Sequence, residues 1–300
     1  MSESLKKYIS GEEKQEFLDI HHAHPYPAKF HPKVPKKFIR EKTSEGDKVL
    51  DPYCGCGTTL VESRLLGRNC FGSDTNPLAV FISNAKSTVL SDEERSEIDE
   101  IVQSISQDIE RVYSDESEVE FEIPEFYNRD HWFQKNVQKE LAVIKKHIGA
   151  TDSSKNIDKI LNLAFSAIIV KVSNQESDTR YAAVDKEIKD EETFEIFKKK
   201  LSSVKDANKE FSDKAEVDSE VKAQKADARN IEELEDESID LIVTSPPYAN
   251  TYDYYLYHKM RMFWLGMDHK EAQEKEIGSR HKYSSKKKDP SNFFENLEKS

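Results

Sequence analysis

Lys48-Val49-Leu50-Asp51-Pro52-Tyr53-Cys54-Gly55-Cys56-Gly57-Thr58-Thr59 reads as a short apolar strand ending in an acid, then a glycine loop, then the start of a helix. Gly46-Asp47 opens the strand, Thr58 to Leu66 has helical spacing, and Gly67 supplies a stop. The unit then repeats. Asn69 to Asp74 is a second strand ending in an acid, and Asn76 to Ala85 a second helix with Pro77 in its first turn. This alternation predicts a parallel sheet. Far downstream Ile239-Asp240-Leu241-Ile242-Val243 is another strand-like run, and it delivers Thr244-Ser245-Pro246-Pro247-Tyr248 to a strand end. In an open parallel sheet, ligands bind beyond the carboxyl ends of the strands, where the strand order reverses. The two loops are therefore expected side by side.

The chain has 300 residues, 36% hydrophobic and 34% charged, with 15 Phe and 12 Tyr to fill a core, so it reads as a folded protein with a very polar surface. No apolar run approaches the roughly 20 residues of a membrane helix, and Met1 to Lys14 is polar, which predicts a cytoplasmic location and no membrane partner. Three cysteines, Cys54, Cys56 and Cys70, argue against a disulfide framework. A net charge of -13 excludes coating of nucleic acid by bulk attraction. Two local basic clusters remain: Lys29, Lys33, Lys36, Lys37 and Arg40, and Arg280, Lys282, Lys286, Lys287 and Lys288. Each could meet a phosphate backbone or be a solvated charge run.

Three regions follow from the pattern. Residues 1–90 carry a Pro- and His-rich loop from His21 to Pro35, a short helix from Val34 to Lys42, and the first half of the sheet. Residues 91–215 change to helical spacing, as in Ile98, Ile101, Val102, Ile105 and Ile109, and form a helical insertion. Within it, Ile160 to Val172 reads as a buried helix and the charged run Lys186 to Lys214 as an exposed one. Residues 216–300 resume the sheet at about Val217 to Ala226 and at Ile239 to Val243.

The glycine loop lets backbone approach a ligand closely and aims a helix N-terminus at it. A phosphate P-loop needs Lys before the Ser or Thr, but Gly57 precedes Thr58, and the third glycine of a dinucleotide fingerprint is replaced by Leu60. What remains is a ligand with a carboxylate and an amine. Asp51 would meet the ammonium and Asp74 the ribose hydroxyls, which are the groups of S-adenosylmethionine. Asp74 also reads as a helix cap before Pro77, but its place about 20 residues after the glycine loop favours the ribose. Asp227, in Lys225-Ala226-Asp227-Ala228-Arg229, would meet an adenine amino group or be an exposed turn residue.

In the second loop Pro246 and Pro247 remove two donors and leave carbonyls that only accept. Ser245 and the Pro246 carbonyl would hold the hydrogens of an exocyclic amino group, and Tyr248 would stack on its base. A base in a duplex reaches such a pocket only by flipping out of the stack.

Asp51 to Thr59 and Thr244 to Tyr248 resemble the cofactor and catalytic loops of the S-adenosylmethionine-dependent DNA amino-methyltransferases, the N4-cytosine and N6-adenine group. His24-Pro25-Tyr26-Pro27-Ala28-Lys29-Phe30 is similar to the segment that covers the cofactor's methionine end, and Asn174 to Tyr181 and Tyr252 to Gly266 resemble segments of some members. The resemblance implies an α/β, Rossmann-like class I methyltransferase sheet. It makes Ser245, Pro246, Pro247 and Tyr248 catalytic. It assigns cofactor binding to Tyr26, Pro27, Lys29, Phe30, Asp51, Tyr53, Gly55, Gly57, Thr58, Asp74 and Asn76, alongside Asp227. Serine at the first loop position leans toward N4 of cytosine over N6 of adenine. Double-stranded DNA with a flipped base is the implied partner, restriction-modification or phage defence the implied setting, and the helical insertion the candidate DNA-reading region. Ring-carbon methylation needs a cysteine after a proline, and no cysteine follows Cys70. An RNA or protein-amide methyltransferase is the rival reading, because those substrates present a similar amino group.

Met267 to Ser300 is mostly polar and shows no strong strand, so the sheet is expected to be incomplete, its remaining strands lying in a second polypeptide or missing from a truncated chain that serves as a non-catalytic half. His21, His22, His24 and His31, with the cysteines, lack the paired spacing of a zinc site, and no metal is expected. Trp132, Phe263 and Trp264 read as packing residues. Arg180 and Tyr181 would touch DNA or form a salt bridge.

Overall fold

The computed structural model describes residues 18–114, 119–149, 154–248 and 253–278. The basic cluster from Arg280 to Lys288, the polar stretch from Met1 to Lys14 and Tyr252 lie outside the described residues.

Helix α1 (Lys33–Lys42) precedes β1 (Lys48–Asp51), α2 (Thr58–Leu65), β2 (Asn69–Asp74) and α3 (Pro77–Lys86). A helical region follows: α4 (Asp92–Tyr113), a single turn at Arg129–Trp132, α5 (Lys135–Gly149) and α6 (Lys155–Val172). Next come the strands β3 (Gln175–Ser177) and β4 (Arg180–Ala183), then α7 (Glu192–Ser212), β5 (Val221–Lys225), β6 (Leu241–Ile242), α8 (Tyr254–Leu265) and α9 (His269–Lys275). The main sheet is parallel, in the order β5-β2-β1-β6. The chain runs outward from β1 through β2 to β5 and then returns to the other side of β1. The order therefore reverses between β1 and β6, where Leu50 pairs with Ile242, and the Asp51 and Thr244 loops leave the sheet as neighbours.

Local chemistry accounts for the element ends. Asn76 caps α3, its side chain accepting from the Leu78 N–H, with Pro77 at the first helical position. Ser91 and Glu94 form a reciprocal capping box on α4. Gly57 takes φ +78°, and a Cβ there would lie 2.7 Å from Ser83 Cα, so glycine is required both by the left-handed backbone and by the approach of α3. The glycine that brings α2 against the sheet is Gly72 on β2, where a Cβ would meet Leu60 Cδ1 at 2.8 Å. The contact of helix and strand thus falls on the Leu60 that replaces a glycine of the dinucleotide fingerprint.

Two apolar clusters sandwich the sheet. The smaller joins Ile39 of α1 and Leu60 of α2 to Val49, Cys70, Ala223 and Val243. The larger runs from Leu78, Ile82 and Ala85 of α3 through α6 to α4, α5, α7 and α8. The helices of residues 91–215 are thus continuous with the core of the sheet. The apolar stretch Ile160 to Val172 is a buried helix as expected, whereas the expected exposed helix is not exposed. Phe194, Phe197, Leu201, Val204, Ala207 and Phe211 of α7 are all buried, because its lysines and glutamates occupy only the opposite face. The β3–β4 hairpin interrupts the expected all-helical insertion. Asp178 in its turn ion-pairs with Arg261 of α8, whose guanidinium is fully buried and also donates to the Ser166 carbonyl at 3.0 Å. Among the described residues β6 has no strand on its outer side, and Ile242 is 60% exposed. The region after Met267, expected to be a polar tail, contributes α9 and a buried acid. Glu276 accepts from the Tyr254 and Tyr255 N–H groups at 2.8 and 3.1 Å and so satisfies the first turn of α8.

Two outcomes follow. Gly57→Ala should lower the unfolding free energy by about 3 kcal/mol, overpacking added to left-handed strain, whereas Gly46→Ala, with φ +85° but open space around it, should cost about 1 kcal/mol. Urea denaturation of both checks this, and equal losses would show that the contact with α3 is unimportant. Burial raises the Glu276 carboxyl from the ordinary 4.5 to about 7. Its protonation therefore supplies stability that is full below pH 4.5 and lost as pH rises through 7. Thermal melts from pH 4.5 to 8 should show Glu276→Gln gaining on the wild type as pH rises; a pH-independent difference contradicts the burial argument.

Candidate active site

The loop after β1 is held from beneath by groups that satisfy its backbone. Cys54 N donates to the Ser73 carbonyl at 2.9 Å and Gly57 N to the Cys54 carbonyl at 2.8 Å. Ser83 Oγ donates to the Gly55 carbonyl and Lys86 Nζ to the Cys56 carbonyl, both at 2.9 Å. Lys86 is fully buried, and burial lowers its pKa from the ordinary lysine value. With its carbonyls tied down, the loop turns Gly55 toward Tyr26, whose Cε1 would be 3.5 Å from a Cβ placed there.

Above the loop lies a cavity of about 870 Å³, counting the solvent at its mouth. Of the residues expected to bind cofactor, Tyr26, Lys29, Phe30, Asp51, Tyr53, Gly55, Thr58, Asp74 and Asn76 line it, as do Ser245 and Pro247 of the second loop. The two loops therefore do share one cavity. Pro27, Gly57, Asp227, Pro246 and Tyr248 do not line it. Pro27 is buried beside the wall, and Gly57 works through packing against α3. Tyr248 is 56% exposed beyond the rim. The Asp227 carboxylate is taken by Arg229, through its backbone N–H at 3.0 Å and a guanidinium nitrogen at 2.6 Å, while the neighbouring Ala226 and Ala228 form the wall. An adenine amino group facing that wall would meet methyl groups and not the Asp227 acid.

Asp51 is 2% exposed. Its Oδ2 accepts from Thr59 Oγ1 at 2.6 Å, and its Oδ1 from Thr244 Oγ1 at 2.7 Å and the Tyr53 N–H at 3.2 Å. Burial lifts its pKa to about 6 against the pull of the two threonine bonds. Asp74 accepts from the Asn76 N–H at 2.9 Å and the Gly55 N–H at 3.1 Å, and burial likewise raises it to about 6. The helix cap is thus Asn76, not Asp74, so the side chain of Asn76 is engaged within the protein. One buried and one half-buried carboxylate in one cavity, raised by desolvation with no cation bonded to them among the described residues, suit a positively charged ligand, which would favour their ionised form. An ionised carboxylate offers about four acceptor positions, and three described donors use those of Asp51.

Sequence reading missed part of the wall. Tyr254, Ala272, Glu276 and Ile277 line the cavity from the segment that follows the second loop. Tyr254 stacks on Tyr26 with centroids 6.2 Å apart, and His258 lies 4.8 Å from the same ring. No local signal places them there, since it is the fold that returns α8 and α9 to the glycine loop. His24, weighed as a weak metal candidate, is fully buried, and a carbonyl and a hydroxyl engage its ring. Its Nδ1 donates to the Pro25 carbonyl at 2.6 Å, which leaves Nε2 to accept from Ser166 Oγ at 2.9 Å. His21 pairs with Glu62 at 2.8 Å. Trp132 and Trp264 are buried and Phe263 stacks on Phe126, all in packing roles. The exposed Arg180 pairs with the half-buried Glu176. Among the described residues no helix is long and apolar enough to cross a membrane.

A family model described as DNA methylase matches residues 4–85, which include α1, β1, the glycine loop, β2 and most of α3. Type II methyltransferase M.MvaI of Kocuria varians is 28% identical over 82% of this chain and 58% of its own length. Type II methyltransferase M.BsoBI of Geobacillus stearothermophilus is 23% identical over 91% of this chain and 58% of its own. Type II methyltransferase M.MjaII of Methanocaldococcus jannaschii is 36% identical over a shorter stretch, 25% of this chain and 14% of its own. No solved structure matches the chain. The chain therefore spans a little over half the length of the first two relatives. It is thus similar to DNA methylases over residues 4–85 and to Type II methyltransferases over most of its own length.

Proposed function

We propose that the chain transfers a methyl group from S-adenosylmethionine to an exocyclic amino nitrogen of a DNA base, with N4 of cytosine favoured over N6 of adenine. The observation that carries this reading is the shared cavity, in which Asp51 and Asp74 of the cofactor half face Ser245 and Pro247 of the acceptor loop. The donor fits the residues present: its ammonium and sulfonium charges complement the carboxylates of the buried Asp51 and the half-buried Asp74, both of which line the cavity. When bound, it supplies a methyl group on a cationic sulfur.

The chain's own part is positioning. Ser245 Oγ and the Pro246 carbonyl accept the amino hydrogens, which turns the nitrogen lone pair toward the cavity; the proton released after transfer leaves from that nitrogen. Tyr248, 56% exposed past the rim, offers its ring to a base that has left the duplex. Holding two reactants in line in this way is the largest part of what catalysis needs here, because no protein nucleophile takes part. Serine at the head of the acceptor loop supports the cytosine preference. Restriction-modification or phage defence is the setting the Type II relatives support.

Methyl-labelled S-adenosylmethionine incubated with the protein and double-stranded DNA should place label on the amino nitrogen of cytosine, read by mass spectrometry of the nucleosides. Ser245→Ala should lower that rate at least tenfold with little change in donor binding. Label found only in RNA or protein would overturn the DNA assignment, and label on adenine the cytosine preference. Calorimetric donor affinity should rise with pH and level off above 6, since the cationic ligand needs Asp51 and Asp74 ionised. With both acids required and each falling about tenfold in its ionised fraction, the expected loss is about a hundredfold between pH 7 and 5. A flat profile would remove those carboxylates from the binding site.

A further inference from the structure

The second loop is poorly secured by its own backbone. β6 has only two residues, and it pairs with β1 alone among the described strands. The parallel ladder's last described bond is from the Val243 N–H to the Leu50 carbonyl at 3.0 Å. Beyond it, Pro246 and Pro247 have no N–H to offer. Pro246 and Tyr248 are exposed, so packing does not hold them either. Among the described hydrogen bonds, one side chain of residues 244–248 reaches the other half of the cavity. Thr244 Oγ1 donates to Asp51 Oδ1 at 2.7 Å, on a carboxylate whose other oxygen is held by Thr59 of α2 at 2.6 Å. Thr59 Oγ1 also lies 3.5 Å from the Val243 carbonyl, which closes a small ring of bonds around the ends of β1 and β6.

We infer that Thr244 is a positioning residue whose hydroxyl, through the Asp51 carboxylate, locks the acceptor loop in register with the cofactor loop. The inference deepens the methyltransferase reading and rests on it. A hydroxyl bond to a buried carboxylate is charge-assisted and directional. It also makes the carboxylate that is proposed to meet the donor's ammonium the same group that sets the position of Ser245. An error of one ångström in the approach of amine to methyl is enough to slow transfer about a hundredfold. Thr244 touches neither reactant; its effect passes entirely through Asp51 and the adjoining Ser245.

Thr244→Val keeps the shape and removes the donor, and Thr244→Ser restores it. In the valine variant kcat for DNA methylation should fall ten- to a hundredfold while donor affinity at pH 8 changes less than threefold; serine should recover most of the rate. A second readout does not use turnover. Loss of the Thr244 bond withdraws support from the ionised Asp51, so the pH midpoint of donor binding should move upward in the valine variant and not in the serine one. The titratable groups around Asp51 are Asp74, Cys54 and Cys70, with Glu276 in the wall of the same cavity; both thiols are pushed upward by burial, so Asp74 and Glu276 share the pH range, and neither is altered in the valine or serine variant. Hydrogen exchange of the 241–248 peptide provides a third readout and requires neither ligand nor activity: exchange should quicken in the valine variant only. A valine variant with wild-type kcat, an unmoved midpoint or unchanged exchange overturns the inference. If instead the wild type neither binds the donor nor methylates DNA, the methyltransferase reading fails, and the exchange experiment still decides whether Thr244 fixes the loop.

Discussion

The molecule depends on one buried carboxylate at a strand end. Asp51 closes β1 at the place where the sheet reverses its order, and its two oxygens take hydroxyl bonds from Thr59 on the following helix and Thr244 on the neighbouring strand's loop. A carboxylate stripped of water costs free energy unless its acceptors are filled. Here the filling groups come from positions 8 and 193 residues away in the chain. Folding must bring β6 beside β1 before that demand is met, and so the requirement of one acid couples the loop after β1 to the loop after β6. The raised pKa of about 6 shows that the bonds do not fully offset burial, and the remaining tendency toward neutrality is what a cationic ligand would reverse.

Around that point the structure spends its polar groups on holding the backbone still. Lys86 and Ser83 of α3 satisfy carbonyls of the glycine loop, Asp74 accepts from its N–H side, and Glu276 satisfies the start of α8. Each is a buried or half-buried polar group matched to a backbone partner. This leaves the cavity's open positions for a ligand. The core behind them is assembled largely from helices α4 to α8, so the region between residues 91 and 215 supports the sheet whatever part of its surface meets a substrate.

The comparison of expectation with outcome separates local from distant causes. Motifs carrying their own geometry were readable: the glycine loop, the Asn76 and Pro77 start of α3, and the parallel alternation of short strands. Errors fell where composition was taken for environment. The charged α7 was expected outside, yet charge on one face leaves the other free to bury six apolar side chains. Asp227, expected to meet an adenine amino group or to be an exposed turn residue, is paired with Arg229 two residues on. The polar segment after Met267 returns Glu276 and Ile277 to the cavity, although neither belongs to any motif.

The sequence alone determined the strand-loop-helix unit, the acceptor character of a loop with two prolines, and the kind of ligand that two strand-end acids and a glycine turn exclude or admit. These depend on bond geometry and on donors and acceptors counted within a few residues. Only the tertiary structure decided that Thr244 shares the Asp51 carboxylate, that Gly57 and Gly72 are needed for close packing, and that Tyr254 and Glu276 complete the wall. Those facts depend on which surfaces burial brings together, and burial is a property of the whole chain's packing that no short stretch of residues encodes.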